Sequence, residues 1–367
     1  MSITARTLAV RNFRSYADYL LELSAGTTVL VGPNAAGKTN LVEALQLCCS
    51  AASFRRPSPA DLVRHGEHRC ALELALEGEG RVLELGVAVD GGKRSFVRNG
   101  KRCRAASIRG VLPSILFCPD DLDMVKRGAR VRREALDGFG VQLNAGYAQL
   151  VSSYARAVEQ RNSLLKDPCA SRDLLFAWDE ALVRAGSAVL QHRSALLERV
   201  RAHLVAAYAA IAPRETVDVR YRSTVLPDAA AGLPRDREQI ADLFRAALAS
   251  SAPEEARRGM TLVGPHRDEV EFLVDGRPAR SFASQGQQRS LVLAWKVAEV
   301  RVTRDILGRP PLLLLDDVMS ELDAVRRAAI MELAADEVQT VITTTNLGYF
   351  DEGALESSRV VRIGGDR

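Results

Sequence analysis

At 367 residues, with 47% hydrophobic and 26% charged residues, the chain is long enough to bury substantial cores and too long for one ordinary domain. That balance excludes a disordered or low-complexity protein, and the absence of a fixed-period repeat excludes a solenoid. The net charge of +4 is too small to name a nucleic-acid partner by itself, so the distribution of charge along the chain has to decide.

The first ten residues contain no apolar targeting core, and no apolar run approaches membrane-spanning length, which predicts a soluble, cytoplasmic chain without a membrane partner. Cys48, Cys49, Cys70, Cys103, Cys118 and Cys169 form no CxxC pair and no zinc spacing, as expected of small buried residues in a reducing compartment. His65 and His68 stand near Cys70 without a fourth ligand and read as surface residues.

In chain order, Leu8-Ala9-Val10 and Thr28-Val29-Leu30-Val31 are β-prone, and the second segment runs into a glycine-containing loop. From Asn40 onward, Leu41, Leu45 and Cys48 recur at helical spacing, completing a strand, loop, helix unit. The loop itself, Gly32-Pro33-Asn34-Ala35-Ala36-Gly37-Lys38-Thr39, fits GxxxxGK[ST] in full. In such a loop the glycines let backbone N–H groups curl around phosphate oxygens and the helix N-terminus adds its positive dipole. Lys38 then neutralises charge at the terminal phosphates, Thr39 supplies a magnesium ligand, and Asn40 completes the nucleotide-binding set. ATP and Mg²⁺ are the expected cofactors.

Residues 70–117 predict antiparallel strands, from the alternation in Leu72-Leu74-Leu76 and Leu83-Leu85-Val87. Asn99-Gly100 suits the type I′ turn of a hairpin near 94–104. Lys93, Arg94, Arg98, Lys101, Arg102, Arg104 and Arg109 occur there without an intervening acid, and Lys126, Arg127, Arg130, Arg132 and Arg133 follow. Such runs suit sequence-independent phosphate contacts, and aromatic residues for base stacking are few, so the backbone of a DNA duplex or junction is the expected target. A solvated, highly charged hairpin is the competing reading.

From about Arg130 to Leu248 the pattern is helical, with Leu150, Tyr154 and Val158 at helical spacing and an Ala-, Leu- and Arg-rich stretch over residues 182–211. Sustained heptads are too few for a continuous coiled coil. Residues 227–234 and 250–253 read as turns or linkers. The expected division is therefore an α/β head formed by residues 1–125 and 254–367, with a helical domain inserted over residues 126–253.

Beyond the insertion, Asp275-Gly276 repeats the hairpin signal between Val270-Phe272-Val274 and Pro278. Ser284-Gln285-Gly286-Gln287-Gln288 then precedes a helix with Leu291, Trp295 and Ala298 on one face, and a small polar cap at a helix start leaves N–H groups free for an anion. Pro311-Leu312-Leu313-Leu314-Leu315-Asp316-Asp317 is an apolar run ending in two carboxylates, the form of a buried parallel strand whose C-terminal end faces a ligand. There Asp316 is placed to hold Mg²⁺ and Asp317 to orient or deprotonate an attacking water, with Lys38 as their catalytic partner.

The segment at Ser284 resembles the signature motif of ABC-type ATPases, and Ser320-Glu321-Leu322-Asp323 fits their D-loop. That resemblance implies that Ser284, Gly286 and Gln287 grip the γ-phosphate held by a second copy of the chain. Val10-Arg11-Asn12-Phe13-Arg14-Ser15-Tyr16, the P-loop continuing into Asn40-Leu41-Val42-Glu43-Ala44, Phe117-Cys118-Pro119-Asp120-Asp121-Leu122 and Leu262-Val263-Gly264-Pro265-His266-Arg267-Asp268 together resemble the RecF family over nearly the whole chain. The implied fold is an ABC-type, SMC-like P-loop ATPase head with a mixed sheet and an inserted helical arm. The implied activity is a slow, DNA-stimulated ATPase that closes as an ATP-sandwiched homodimer on duplex, gapped and junction DNA. Such a protein acts with RecO and RecR to load RecA during single-strand gap repair, replication and the SOS response.

Several positions stay open within that resemblance. Arg11 and Arg14 are implied to touch phosphate or DNA, against the reading of an exposed strand end. His266 and Arg267 are implied to lie near nucleotide or DNA. Asp317 stands where most ABC ATPases carry Glu, and no glutamine marks the Q-loop, leaving Asp120 or Asp121 as its stand-in. An ABC transporter ATPase subunit is the alternative reading, but it predicts a His at the switch position, where Thr343-Thr344-Thr345-Asn346 stand.

Overall fold

The computed structural model describes residues 3–78, 80–225, 236–336 and 338–364. The backbone separates into two compact units, one formed by Met1–Asp121 with Leu293–Arg367 and the other by Leu122–Val292.

The strands are β1 (Thr4–Phe13), β2 (Tyr16–Glu22), β3 (Thr27–Val31), β4 (Arg69–Gly78), β5 (Arg81–Asp90), β6 (Lys93–Arg98), β7 (Lys101–Cys103), β8 (Ser114–Phe117), β9 (Val217–Arg222), β10 (Glu269–Val274), β11 (Arg277–Pro278), β12 (Leu312–Asp316), β13 (Thr340–Thr344) and β14 (Arg359–Arg362). The first unit holds an antiparallel sheet in the order β2-β1-β4-β5-β6-β7 and a parallel sheet in the order β14-β3-β13-β12-β8. Asn99 and Gly100, at φ 50° and 72°, turn β6 into β7 in the left-handed conformation that the sequence predicts.

Between the sheets lies the helix Lys38–Ser50, which contacts β4 and β5 on one side and β8, β12 and β13 on the other. Its Leu41, Val42, Ala44, Leu45, Leu47, Cys48 and Cys49 are all buried, because a helix covered on both sides must be apolar nearly all round. The central parallel strands β12 and β13 are buried at every position, and the apolar run Leu312 to Leu315 of β12 follows from that burial on both faces. The strand ends are in register, with Leu315 beside Phe117 and Asp316 beside Thr343, so the loops after β3, β8, β12 and β13 emerge along one edge.

The second unit packs the helices Ala129–Leu143, Ala145–Lys166, Arg172–Ile211 and Arg237–Arg258 with an antiparallel sheet in the order β11-β10-β9. Several expectations change here. Val217–Arg222 is a strand inside the stretch expected to be helical, and its buried Val217, Val219 and Tyr221 alternate with period two. Residues 250–253 continue a helix, Pro253 included, until Gly259 ends it at φ 62°. Pairing of β9 with β10 ties residues 269–274 to the helical segments, so this unit runs to Val292 and not to 253. Finally, β8 joins the parallel sheet, not the antiparallel one, since Ser114, Ile115, Leu116 and Phe117 are all buried and carry no alternation. The turn expected at residues 227–234 lies outside the described residues.

Candidate nucleotide site

The P-loop is held by its backbone. Gly32 N–H donates to the Thr344 carbonyl at 3.3 Å, tying the loop to β13. A Cβ on Gly32 would stand 2.1 Å from the Ile363 carbonyl oxygen, so no other residue fits without moving that backbone. Gly37 takes φ 100°, and a Cβ there would come within 2.9 Å of both Ser15 Oγ and Tyr16 Oη. This glycine starts the helix Lys38–Ser50 while the β1–β2 turn closes over it.

Lys38 is almost fully buried and curls back, its Nζ donating to the carbonyls of Gly32 and Pro33, each at 2.8 Å. Burial lowers its pKa, while the nearby Asp317 and Asp316 oppose that shift. Thr39 Oγ1 donates to Asp316 Oδ1 at 3.0 Å, and Thr343 Oγ1 donates to the same oxygen at 2.8 Å. Thr343 also accepts from Asp317 N–H at 2.9 Å, and Asp317 adopts φ 55°, turning the chain directly after Asp316. Burial pushes the Asp316 carboxyl above its ordinary range; the two hydroxyls and the charge of Arg55 pull the other way. The structure thus brings Gly32, Lys38, Thr39, Asn40, Asp316 and Asp317 to one edge of the parallel sheet. Thr39 and Asp316 are hard oxygen donors side by side, a set that suits Mg²⁺ retaining its waters and taking phosphate oxygens.

Behind the loop runs a network that sequence reasoning missed. Arg55 Nη1 donates to Asn40 Oδ1 at 2.8 Å and pairs with Glu43 at 3.2 Å, while Asn40 Nδ2 donates to Ser15 Oγ at 3.1 Å. Only the electrostatic reach of Arg55 to Asp316 marks it, and no linear spacing could have signalled that. Arg14 forms two bonds to the fully buried Glu43, at 3.0 and 2.9 Å, and donates to the Asp61 carbonyl at 2.8 Å. Its place is therefore inside the fold, supporting the P-loop helix. Arg11 remains exposed on β1, beside Asp18 of β2.

The signature-like segment lies in the second unit at the start of the helix Gln285–Leu307. Ser284 N–H donates to Gln287 Oε1 at 2.8 Å and Gln287 N–H donates to Ser284 Oγ at 3.2 Å, a reciprocal capping box that fixes the helix start. Gln287 Nε2 reaches Glu215 at 3.2 Å, and Ser284 is exposed. His266 and Asp268, in contrast, are engaged internally. His266 Nδ1 is 2.7 Å from Tyr154 Oη, and burial lowers its pKa to about 4. Asp268 is fully buried and accepts from Tyr221 Oη and from Thr224 N–H and Oγ1.

Strand alternation divides the cations of the β6–β7 hairpin. Register pairs Arg98 with Lys101, Val97 with Arg102 and Phe96 with Cys103, so Arg94, Arg98 and Lys101 share the face of Phe96 and Cys103, which pack against the core. Lys93 and Arg102 share the other face and are exposed. Arg94 is turned inward, with its Nε buried and its pKa lowered by burial. In the second basic run Arg132 pairs with Glu269, Arg127 with Asp123 and Arg130 with Glu134, each at 2.7 Å, and Arg133 donates to the Asp268 carbonyl at 2.6 Å. Among the described residues no group of three or more His, Cys, Asp or Glu side chains could hold a metal, and no helix is long and apolar enough to cross a membrane.

Comparison with known proteins covers the same span. The family described as RecF/RecN/SMC N terminal domain matches residues 4–363. The DNA replication and repair protein RecF of Gloeobacter violaceus is 38% identical over 365 residues, covering 98% of this chain and 96% of the relative. The protein of the same name from Synechococcus sp. is 40% identical over 366 residues, with 98% and 95% covered. A solved structure of the recombination mediator protein RecF-ATP in the RecFOR pathway superposes with a TM-score of 0.85 at 28% identity, covering 94% of each chain. An SMC head domain from Pyrococcus furiosus, bound to the C-terminal domain of ScpA, superposes at 0.54 with 15% identity over 94% of this chain and 90% of its own, a likeness of fold alone. The fold is therefore an SMC-like ABC ATPase head with an inserted helical arm, and the chain belongs to the RecF family.

Proposed function

We propose that the chain binds ATP and Mg²⁺ through the P-loop and the end of β12, and that it acts as an ATP-dependent DNA-binding recombination mediator. The observation that supports this best is the bond joining Thr39 to Asp316, residues 277 apart in sequence. It sets a helix N-terminus, a buried lysine and two carboxylates at one edge of the sheet, the set of groups that binds a triphosphate with its metal. In this reading residues 32–39 wrap the phosphates with backbone N–H groups, and Lys38 exchanges its two carbonyl partners for β- and γ-phosphate oxygens. Thr39 and Asp316 hold Mg²⁺, which supplies charge neutralisation across those phosphates. Asp317 takes the proton of, or orients, the attacking water, and its side chain, one methylene shorter than Glu, accords with slow turnover.

A second copy of the chain presents Ser284, Gly286 and Gln287 to the γ-phosphate, so that ATP closes a homodimer and hydrolysis opens it. Ser284 is exposed at a helix start, whose dipole favours an anion, and the N–H groups of Ser284 and Gln287 exchange their capping-box partners for phosphate oxygens in the closed dimer. DNA, as duplex, gap or single-strand/double-strand junction, is held through backbone phosphates by exposed cations, with Arg11, Lys93 and Arg102 the best placed and Arg98 and Lys101 at the hairpin tip. The names of the relatives support a place in DNA replication and repair and in the RecFOR pathway. In this reading RecO and RecR are the partners and RecA is the protein loaded. The cytoplasmic nucleoid is the compartment this role requires.

Binding to gapped DNA with and without ATP, measured at several salt concentrations, tests the reading. ATP should tighten binding, and the logarithm of the binding constant should fall linearly with the logarithm of salt concentration. Equal affinity with and without ATP would contradict it.

A further inference from the structure

The helix Gln285–Leu307 carries a charged cluster that the nucleotide chemistry does not use. Lys296 lies about three turns beyond Ser284. Its Nζ is 3.0 Å from Asp121 Oδ1 and 3.5 Å from Glu299 Oε2, and Trp295 Nε1 donates to Glu299 Oε1 at 2.8 Å. Asp121 accepts from Cys118 N–H at 2.8 Å through its other oxygen, so the lysine is moored to the turn directly after β8. Phe117 lies in register with Leu315, which puts that turn on the same strand-end edge as Asp316 and Asp317.

Two features separate this cluster from ordinary packing. Leu291, Leu293, Ala294, Ala298 and Val302 already bury the helix, so the charged cluster is not needed to cover it. The side chains of Lys296 and Glu299 are only 12% and 7% exposed, and an apolar residue of similar volume often serves stability as well as a buried ion pair does. A charged anchor at that position adds direction.

We propose that Lys296 and Asp121 are positioning residues: they moor the part of the helix Gln285–Leu307 that lies in the first unit to the turn after β8, and the signature segment at the start of that helix feels the link through the helix itself. The inference rests on the two-copy ATP reading above. Neither residue is required to touch nucleotide; Asp121 acts through Lys296, and Lys296 through the helix.

The test compares the unchanged chain with Lys296→Met, Asp121→Asn and the double variant, each first shown by thermal melting to be folded at the assay temperature. Affinity for a fluorescent ATP is measured at concentrations where the chain is single, the dimerisation constant by sedimentation with ATP and Mg²⁺, and kcat and KM by phosphate release. Analogue affinity and KM should stay within about twofold, while dimerisation weakens about tenfold or more and kcat falls with it. The double variant should be no worse than either single one, since both remove the same link. Unchanged dimerisation in either folded variant, with only the melting temperature moved, overturns the proposal, as does an additive loss in the double variant. If the unchanged chain itself stays single with ATP, the two-copy reading falls and this inference with it. If the unchanged chain dimerises and the variants match it, only the inference falls.

Discussion

At residue scale, Asp316, proposed above to hold Mg²⁺, is a carboxyl whose burial works against its charged form. Burial raises its pKa above the ordinary 3.8, and the two hydroxyl bonds offset only part of that. Because the unfolded chain gives up this proton at lower pH than the folded one, the stability held by the neutral carboxyl is full below 3.8 and is lost as pH rises through the folded value. Asp316→Asn keeps acceptors for Thr39 and Thr343 and removes that loss. The variant should melt higher than the unchanged chain at neutral pH without ligand, with the gap closing as pH falls, and it should no longer hydrolyse ATP with Mg²⁺. A lower melting temperature at neutral pH would show that the carboxylate stabilises the fold. The P-loop and its carboxylates were legible in sequence, because phosphate binding demands fixed residue types at fixed spacing. Arg55 was not, since it reaches the site through a network that joins three separate segments.

The P-loop turn and the basic hairpin carry the predictions that belong to elements. Gly37→Ala places a methyl against Ser15 and Tyr16 at a φ that favours glycine. It should cost about 1–3 kcal/mol in denaturant unfolding of the ligand-free chain and weaken ATP binding; an unchanged midpoint would mean that the β1–β2 turn yields freely. On the hairpin, Lys93→Ala with Arg102→Ala should weaken DNA binding and lower the salt slope by about one unit per lost phosphate contact, with stability unmoved. Arg94→Ala should change melting more than DNA affinity, because its guanidinium faces the core. If all three substitutions affected DNA binding equally, the division by strand face would be wrong. Composition showed the charge but not its direction, which only strand register supplies. Similarly, β9 was hidden because six alternating residues sit between two long helical stretches, and β8 because four buried residues have no periodicity to read.

At the scale of the whole molecule, the order of motifs was readable where the assignment of segments was not. Long-range pairing of β9 with β10 draws residues 269–274 into the second unit, although hydrophobic pattern alone gives no reason to separate them from the strands that follow. The helix Gln285–Leu307 begins in one unit and ends in the other; Ser284 caps its start and Lys296 lies within it. In the proposed two-copy reading the site is completed by a second chain, so its ligand dependence must show in mass. Sedimentation of the purified 39.9 kDa chain with ATP and Mg²⁺ across a range of protein concentrations measures this directly. The unchanged chain should shift to twice its mass, Lys38→Met should remain single, and Ser284→Arg should bind ATP yet remain single. A chain that stays single at saturating ATP, or a Ser284→Arg variant that dimerises as well as the unchanged chain, would contradict the account.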